Sequence, residues 1–387
     1  MSDSKFGKWW PCLKKHRKRL EAWLPHAQRL KSGIDGRDFR YFTFCAREMI
    51  DIYLLVKEKV LTYDEVNRRV VGVTFCECDE GIFPEMKELV GPEESGFLAF
   101  LEEIVLFEDL AATVPLVDET AIARYLSREG GKVKEDVRRA IELKLMQIKF
   151  RKLFPFDFLN LDFCDGYYKE PPDVLKIHRA IDRILEWQGR PGTLVSGAEF
   201  ALHRFTASIT CRLDDKIPLD AVERLKAIVD LNRDNHGEYG ADLSRLGHLN
   251  LGDWRSNNLL DFFMASWPKE IARLAYEKGW NLELLDHVFY DRVDRNRERY
   301  YMVCLVLGFE KTDKCTTYLQ MVRSCLEKER RKEITKIDLD SNDGQRILND
   351  LRGVVKLRNE QARYQEREAL EDPLEAILRR REEGIQI

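Results

Sequence analysis

The stretch "FPFDFLNLDFCDGYYK", Phe154 to Lys169, decides the fold of this chain. It is an apolar run that carries acids, ends in Gly166 and a pair of tyrosines, and leads to a proline-rich helix start at Pro171. Such a run, placed ahead of a helix start, predicts a buried strand of an α/β sheet. Its polar end indicates a strand-to-helix turn or the lip of a ligand crevice. Asp162 therefore has two interpretations: it lines a pocket, or it caps the following helix or pairs with an arginine.

The composition indicates a soluble globular protein. The chain has 387 residues, of which 44% are hydrophobic and 34% charged, and its net charge is −4. We find no apolar run long enough to cross a bilayer and no signal-peptide core, so we expect a cytoplasmic protein. The nine cysteines stand mostly in apolar contexts, which favours reduced thiols over a disulfide framework.

Several enzyme classes lack their motifs in this sequence. Cys76 and Cys78 form a C-x-C pair, but no second pair stands at zinc spacing, so we expect no metal. The patterns H-E-x-x-H, G-x-S-x-G and G-x-x-x-x-G-K-[ST] do not occur, which argues against a zinc hydrolase, a serine hydrolase and a P-loop nucleotidase. The net charge argues against a wholesale nucleic-acid coat but leaves local basic patches open.

Strand-like and helix-like segments alternate between residues 39 and 310. The predicted strands read "FRYFTF", "RRVVGVTFCE", "FLEEIVLFEDL", the stretch quoted above, "AEFALHRFTASITCRLDD", "ELLDHVFYDR" and "RYYMVCLVLGFEK". Helical segments separate them, except that a short polar turn joins the last two. This order predicts one α/β domain with a mostly parallel sheet covered on both faces, closed by an antiparallel pair near one edge.

Residues 1–38 form a basic, aromatic N-terminal arm with a predicted helix. Its cationic residues are candidates for contact with nucleic-acid phosphates: Lys14, Lys15, Arg17, Lys18 and Arg19. The alternative is an amphipathic helix docked on the domain through its tryptophans. Charge runs are commonly solvated faces, which favours this alternative.

Residues 311–387 form a charged, helical C-terminal tail. Apolar residues such as Ile347, Leu351 and Val354 recur there at helical spacing, but they are too few to build a core of their own. The tail therefore packs back on the domain or docks on a protein partner.

Acids stand at the ends of successive predicted strands: Glu77 after the second, Asp109 after the third and Asp162 in the fourth. The carboxyl ends of parallel strands meet at the ligand crevice of a doubly wound sheet. With its strand order and antiparallel close, the chain resembles class I S-adenosylmethionine-dependent methyltransferases over roughly Phe39 to Phe309. The segment "NLDFCDG" resembles the fourth-strand "DLDPFG"-type motif of tRNA guanine-N2 methyltransferases. It is also similar to the related bacterial three-Cys-motif partner proteins, which are found near antiviral or mobile-element genes.

The resemblance implies a Rossmann-like methyltransferase fold and a role for each matching residue. Cys45 and Ala46 would face the methionine end of S-adenosylmethionine, and Glu77 would accept hydrogen bonds from its ribose. Asp109 would lie near the adenine. The floor beside the methyl group would be formed by Asp162, which positions the acceptor, with Phe163 and Gly166.

Two functions follow from this resemblance. The first is direct methyl transfer, without a metal, by a protein that acts on or with nucleic acid, in the setting of antiviral defence. The second is a catalytically inactive scaffold or partner subunit of a defence complex. The turn "FCARE" after the first strand favours the second, because it has no glycine where the family has a glycine-rich turn.

Overall fold

A computed structural model of the chain describes residues 11–34, 37–44, 48–74, 96–98, 104–106, 120, 135–166, 176–193, 199–213, 267–268, 270–293, 299–311, 332–364 and 369–382. The helices are α1 (Leu13–Lys18), α2 (Leu24–Ser32), α3 (Ile50–Lys57), α4 (Tyr63–Arg69), α5 (Glu135–Lys152), α6 (Lys176–Gln188), α7 (270–277), α8 (Asn342–Tyr364) and α9 (Pro373–Glu382). A π-helical turn, Arg19–Trp23, joins α1 to α2. The strands are β1 (Tyr41–Phe44), β2 (Val70–Thr74), β3 (Gly96–Leu98), β4 (Phe158–Gly166), β5 (Gly192–Thr193), β6 (Glu199–Phe200), β7 (Arg204–Leu213), β8 (Asn281–Val293), β9 (Arg299–Glu310) and β10 (Lys332–Glu333).

The central sheet is mixed and mostly parallel, in the order β10-β8-β9-β7-β4-β1-β2-β3. Strand β9 runs antiparallel to both of its neighbours, β7 and β8, while the other neighbouring pairs are parallel. The predicted α/β class and the antiparallel closing pair are therefore confirmed. The strand order reverses direction between β1 and β4, and a crevice forms beyond the carboxyl ends of the strands at such a reversal.

Helices cover both faces of this sheet. Successive side chains of a strand point to opposite faces, so Leu159 and Leu161 of β4 enter one core while Phe158 enters the other. Apolar residues of α5, α6 and α7 share the first core, and those of α1, α2, α3 and α8 share the second. The described chain is a helix–sheet–helix sandwich.

The amino ends of β1 and β4 are tied together by Asp157, just before β4. Its carboxylate accepts hydrogen bonds from Arg37 Nη1 at 2.8 Å and Nη2 at 2.5 Å, and from the backbone N–H of Arg40 at 2.8 Å. A bidentate arginine–carboxylate pair fixes the orientation of both side chains and also pairs their opposite charges. It sets the relative position of the two strands whose carboxyl ends bound the reversal.

The N-terminal arm and the C-terminal tail both pack on the domain. Trp23 is fully buried, with its ring 5.5 Å from that of Phe158 and 6.4 Å from that of Tyr41. Helix α8 buries Ile347 and Leu351 in the same core. In the described residues, the arm is therefore the docked helix and the tail packs back. The segments 1–38, 39–310 and 311–387 contribute to one shared core.

The predicted third strand is misplaced. The sequence "FLEEIVLFEDL" predicts that strand, but residues 104–105 within it are helical, and Ile104 and Val105 are fully buried. The third strand is instead β3, in which Gly96 pairs with Gly72 of β2. A short apolar run fits a buried helix as well as a buried strand, which explains the error. Asp109 consequently does not end β3, and its position lies outside the described residues.

Candidate functional site

A buried polar cluster lies beside the strand reversal, where β1, β4 and α3 meet. The Asp51 carboxylate accepts hydrogen bonds from the Tyr41 hydroxyl at 2.9 Å, from Asn160 Nδ2 at 3.2 Å and from the Thr43 hydroxyl. Asp51 stands in the first turn of α3, where the helix dipole favours a negative charge. Buried carboxylates need such partners, because burial removes their hydration.

Two features make this cluster chemically unusual. The amide oxygen of Asn160, a residue that is 5% exposed, has no hydrogen-bond partner. Burial, followed by the negative charge of Asp51, raises the pKa of Tyr41 well above its ordinary value, so Tyr41 remains a hydrogen-bond donor. The cluster therefore presents one buried acceptor atom that a ligand with an N–H or O–H group could use.

Asp162 is held by the N-terminal arm. Its Oδ2 atom lies 2.7 Å from Lys15 Nζ and 3.6 Å from Lys18 Nζ, and Lys18 also donates to Thr210 Oγ1 at 3.0 Å. The side chain of Asp162 is 11% exposed and that of Lys18 only 1%. Burial alone would raise the pKa of Asp162, but the nearby charges of Lys15 and Lys18 outweigh it and hold that pKa well below its usual range. The carboxylate is thus ionised, and its ion pairs within the described residues are with lysines.

Phe163 lies on the opposite face of the sheet from Asp162. It is 4% exposed and meets Phe44 edge to face, with ring centroids 5.2 Å apart. The alternation of side chains along β4 enforces this separation. Asp162 and Phe163 therefore do not form one floor, which the resemblance had implied.

Lys14 and Arg17 of α1 also form ion pairs, with acids other than Asp162. Lys14 pairs with Asp291 of β8. Arg17 pairs with Glu21 at 2.9 Å and with Asp343 of α8 at 3.3 Å. Arg19 is half-buried at the start of the π-helical turn. Contact of these residues with nucleic acid stays a prediction.

His16 connects α1 to the C-terminal tail. Its Nε2 atom lies 2.9 Å from Asp350 Oδ1, and Lys57 Nζ lies 2.6 Å from Asp350 Oδ2. Burial lowers the pKa of His16, although its hydrogen bond to Asp350 opposes this. Helices α1, α3 and α8 therefore share one polar junction.

The structure does not describe the side-chain surroundings of the remaining predicted site residues. Cys45, Ala46, Glu77 and Asp109 lie outside the described residues. Gly166 ends β4, where its backbone pairs with Arg212 after a register shift that follows Asp162. Their roles in cofactor binding stay predictions.

The sequence pattern alone does not predict the polar cluster around Asp51. One signal was present, because Asn160 and Asp162 are two residues apart in a strand and must share a face. A pair of polar residues on the same face of an otherwise buried strand indicates a polar layer. The partners from β1 and α3 become visible only in three dimensions.

No family model, curated protein or solved structure matches this chain. Among the helices that the structure describes, none is long and apolar enough to cross a membrane. The described ranges also contain no group of three or more His, Cys, Asp or Glu residues that could hold a metal ion.

Proposed function

We propose that this chain is a cytoplasmic, methyltransferase-like Rossmann protein that binds S-adenosylmethionine at the carboxyl edge of its sheet. The observation that carries the proposal is the strand order. Without the antiparallel β9 and the short edge strand β10, the order is β3-β2-β1-β4-β7-β8, which is the 3-2-1-4-5-6 order of doubly wound nucleotide-binding sheets. The antiparallel insertion agrees with the closing strand that the resemblance implies.

The polar cluster at the reversal fits one end of this cofactor. The unpaired amide oxygen of Asn160 can accept a hydrogen bond from an ammonium group, and the nearby Asp51 carboxylate complements its charge. Bound S-adenosylmethionine would supply an activated methyl group. The nucleic-acid acceptor would then be held by Asp162, whose ionised carboxylate can accept a hydrogen bond from an amino group.

A second candidate is a non-catalytic subunit of a defence complex. The ion pairs of Lys15 and Lys18 with Asp162 favour it, because they occupy the carboxylate that would position the acceptor. The glycine-free turn "FCARE" favours it as well. The apolar residues of α8 that would have docked a partner are, however, buried against this chain.

Calorimetric titration of S-adenosylmethionine into the purified chain tests the first proposal. We expect binding at about micromolar dissociation constants, typical of a specific small-molecule site. Glu77→Gln removes the carboxylate expected to hold the ribose. Loss of a charge-assisted hydrogen bond should weaken binding by about 10- to 100-fold.

The matched control is Glu277→Gln, which makes the same chemical change on α7. Glu277 is about half exposed and pairs with Arg273 at 2.6 Å, so its loss should leave binding unchanged. Absence of binding to the wild-type chain at millimolar cofactor would reject the methyltransferase proposal and favour the non-catalytic subunit.

A further inference from the structure

Two sets of residues to which the sequence assigns separate functions contact each other. Lys15 and Lys18, candidates for contact with nucleic acid, hold the carboxylate of Asp162, the candidate for positioning a methyl acceptor. In this arrangement Asp162 is only 11% exposed. An acceptor cannot reach it while α1 stays in place.

Helix α1 is attached differently from the rest of the arm. Leu13 is the buried apolar residue of α1, and the helix is otherwise held by polar contacts. Lys14, Lys15 and Arg17 form partly exposed ion pairs with acids of β8, β4 and α8. The buried side chains of His16 and Lys18 contact Asp350 of α8 and Asp162 of β4. The segment that follows is anchored by apolar burial, above all by the fully buried Trp23. A phosphate can replace a carboxylate as the partner of a lysine, but it cannot replace an apolar core.

A candidate hinge lies between α1, which is held mainly by polar contacts, and the segment anchored by Trp23. The turn Arg19–Trp23 is π-helical, and such turns interrupt regular helices frequently at functional sites. Movement about this turn would lift α1 while Trp23 remains anchored. Opening therefore requires the exchange of ion pairs and the exposure of Leu13, His16 and Lys18, but not the loss of the tryptophan anchor.

We infer that α1 is a latch: in its docked position it covers Asp162 and keeps other molecules away from that carboxylate. The phosphates of a nucleic acid would release α1 by competing for Lys15 and its neighbours on the helix. This inference rests on the proposed function for the role of Asp162. Lys15 and Arg17 keep 25% of their side chains exposed, so a phosphate backbone can reach them first. Each phosphate contact releases counterions, which supplies the driving force at low salt.

Protonation of Asp162 is a poor alternative trigger. The pKa of Asp162 lies well below its usual range, so the carboxylate keeps its charge throughout the physiological pH range. The cationic groups that face it are Lys15 and Lys18, with Arg19 contributing at longer range. A competing polyanion acts on these groups directly.

Hydrogen exchange of the full chain, with and without a single-stranded oligonucleotide, tests the latch. At low salt and saturating oligonucleotide, we expect exchange to accelerate about tenfold in residues 13–18 and to rise in 158–163, with 24–32 unchanged. Lys15→Gln should accelerate exchange in residues 13–18 without oligonucleotide. The matched control, Lys31→Gln, removes an ion pair between α2 and Glu65 and should leave that segment unchanged.

The outcomes separate the latch from the proposed function. An oligonucleotide that binds but slows or does not alter exchange in residues 13–18 overturns the latch, as does an oligonucleotide that fails to bind at low salt. Titration of S-adenosylmethionine into the wild-type chain and into Lys15→Gln tests the methyltransferase proposal separately. If neither binds the cofactor while the oligonucleotide accelerates exchange, the latch stands and the methyltransferase proposal falls.

Discussion

The two faces of the central strands β4 and β7 are equally buried but chemically opposite. Among the described side chains, one face is apolar and packs against α5, α6 and α7. The other carries buried polar residues beneath the N-terminal arm, α3 and α8: Asn160, Asp162, Thr206, Ser208 and Thr210.

This difference separates two ways of filling a core. The apolar face needs residues of suitable volume, and exchanges that conserve volume disturb such a core little. The polar face needs each partner in one position, because a buried polar group without its partner is costly. The polar face therefore specifies where α1 and α3 lie, whereas the apolar face mainly contributes stability.

The largest expected effect is the loss of Asp162 from the polar face. Asp162→Ala leaves Lys18, which is 1% exposed, without its buried acid. Removing one partner of a buried ion pair costs about 3–5 kcal/mol. We expect the free energy of unfolding, measured by urea denaturation, to fall by this amount.

A double variant shows whether the charge itself is responsible. Asp162→Leu combined with Lys18→Met replaces the pair with apolar side chains, a change that is commonly neutral or stabilising. It should recover most of the lost stability. If the double variant is as unstable as Asp162→Ala, the loss of stability comes from disturbed packing and not from an unpaired buried charge.

A smaller loss of stability is expected at Asn160, which lies beside Asp162 on the polar face. Asn160→Leu removes the donors to Asp51 and Thr43 and places an apolar group against a buried carboxylate. We expect a loss of about 1–3 kcal/mol in the free energy of unfolding. The control on the opposite face is Leu161→Met, which conserves volume and should cost less than about 1.5 kcal/mol. If both variants lose the same free energy of unfolding, the polar and apolar faces do not differ in their sensitivity to substitution.

The polar face should also make stability depend on pH. Burial lowers the pKa of His16, so the folded chain takes up this proton less readily than the unfolded chain does. The stabilisation is complete above the unfolded pKa of about 6.5 and declines as the pH falls below it. The slope has an upper limit of about 1.4 kcal/mol per pH unit for one histidine.

Urea unfolding at a series of pH values between about 5 and 8, where histidine titrates, measures this effect. His16→Gln should flatten the curve and leave the contribution of His287, whose pKa burial also lowers. His203→Gln, at an exposed position, should leave the curve unchanged. A wild-type stability that does not decline below neutral pH would contradict the assignment of His16 as a buried neutral group.

The sequence predicts the layers of this fold better than its site. Periodicity located β4, β7 and the antiparallel pair β8 and β9, because buried strands and amphipathic helices leave regular patterns. It misplaced the third strand, where Ile104 and Val105 form a short apolar run compatible with either state. The partners of Asp162 were not predictable, because Lys15 and Lys18 are distant in sequence and a basic run has the same pattern whether it is solvated or paired.

The smallest expected effect comes from the outward charge of α1 itself. Arg17 adjoins Lys18 in sequence but keeps 25% of its side chain exposed, and its partner Asp343 is 46% exposed. Exposed ion pairs contribute about 0–1 kcal/mol because water and salt screen them. Arg17→Ala should therefore change the free energy of unfolding by less than about 1 kcal/mol, and by less still at high salt. A loss as large as that of Asp162→Ala would show that the whole charge run of α1, not only its inward lysines, holds the arm in place.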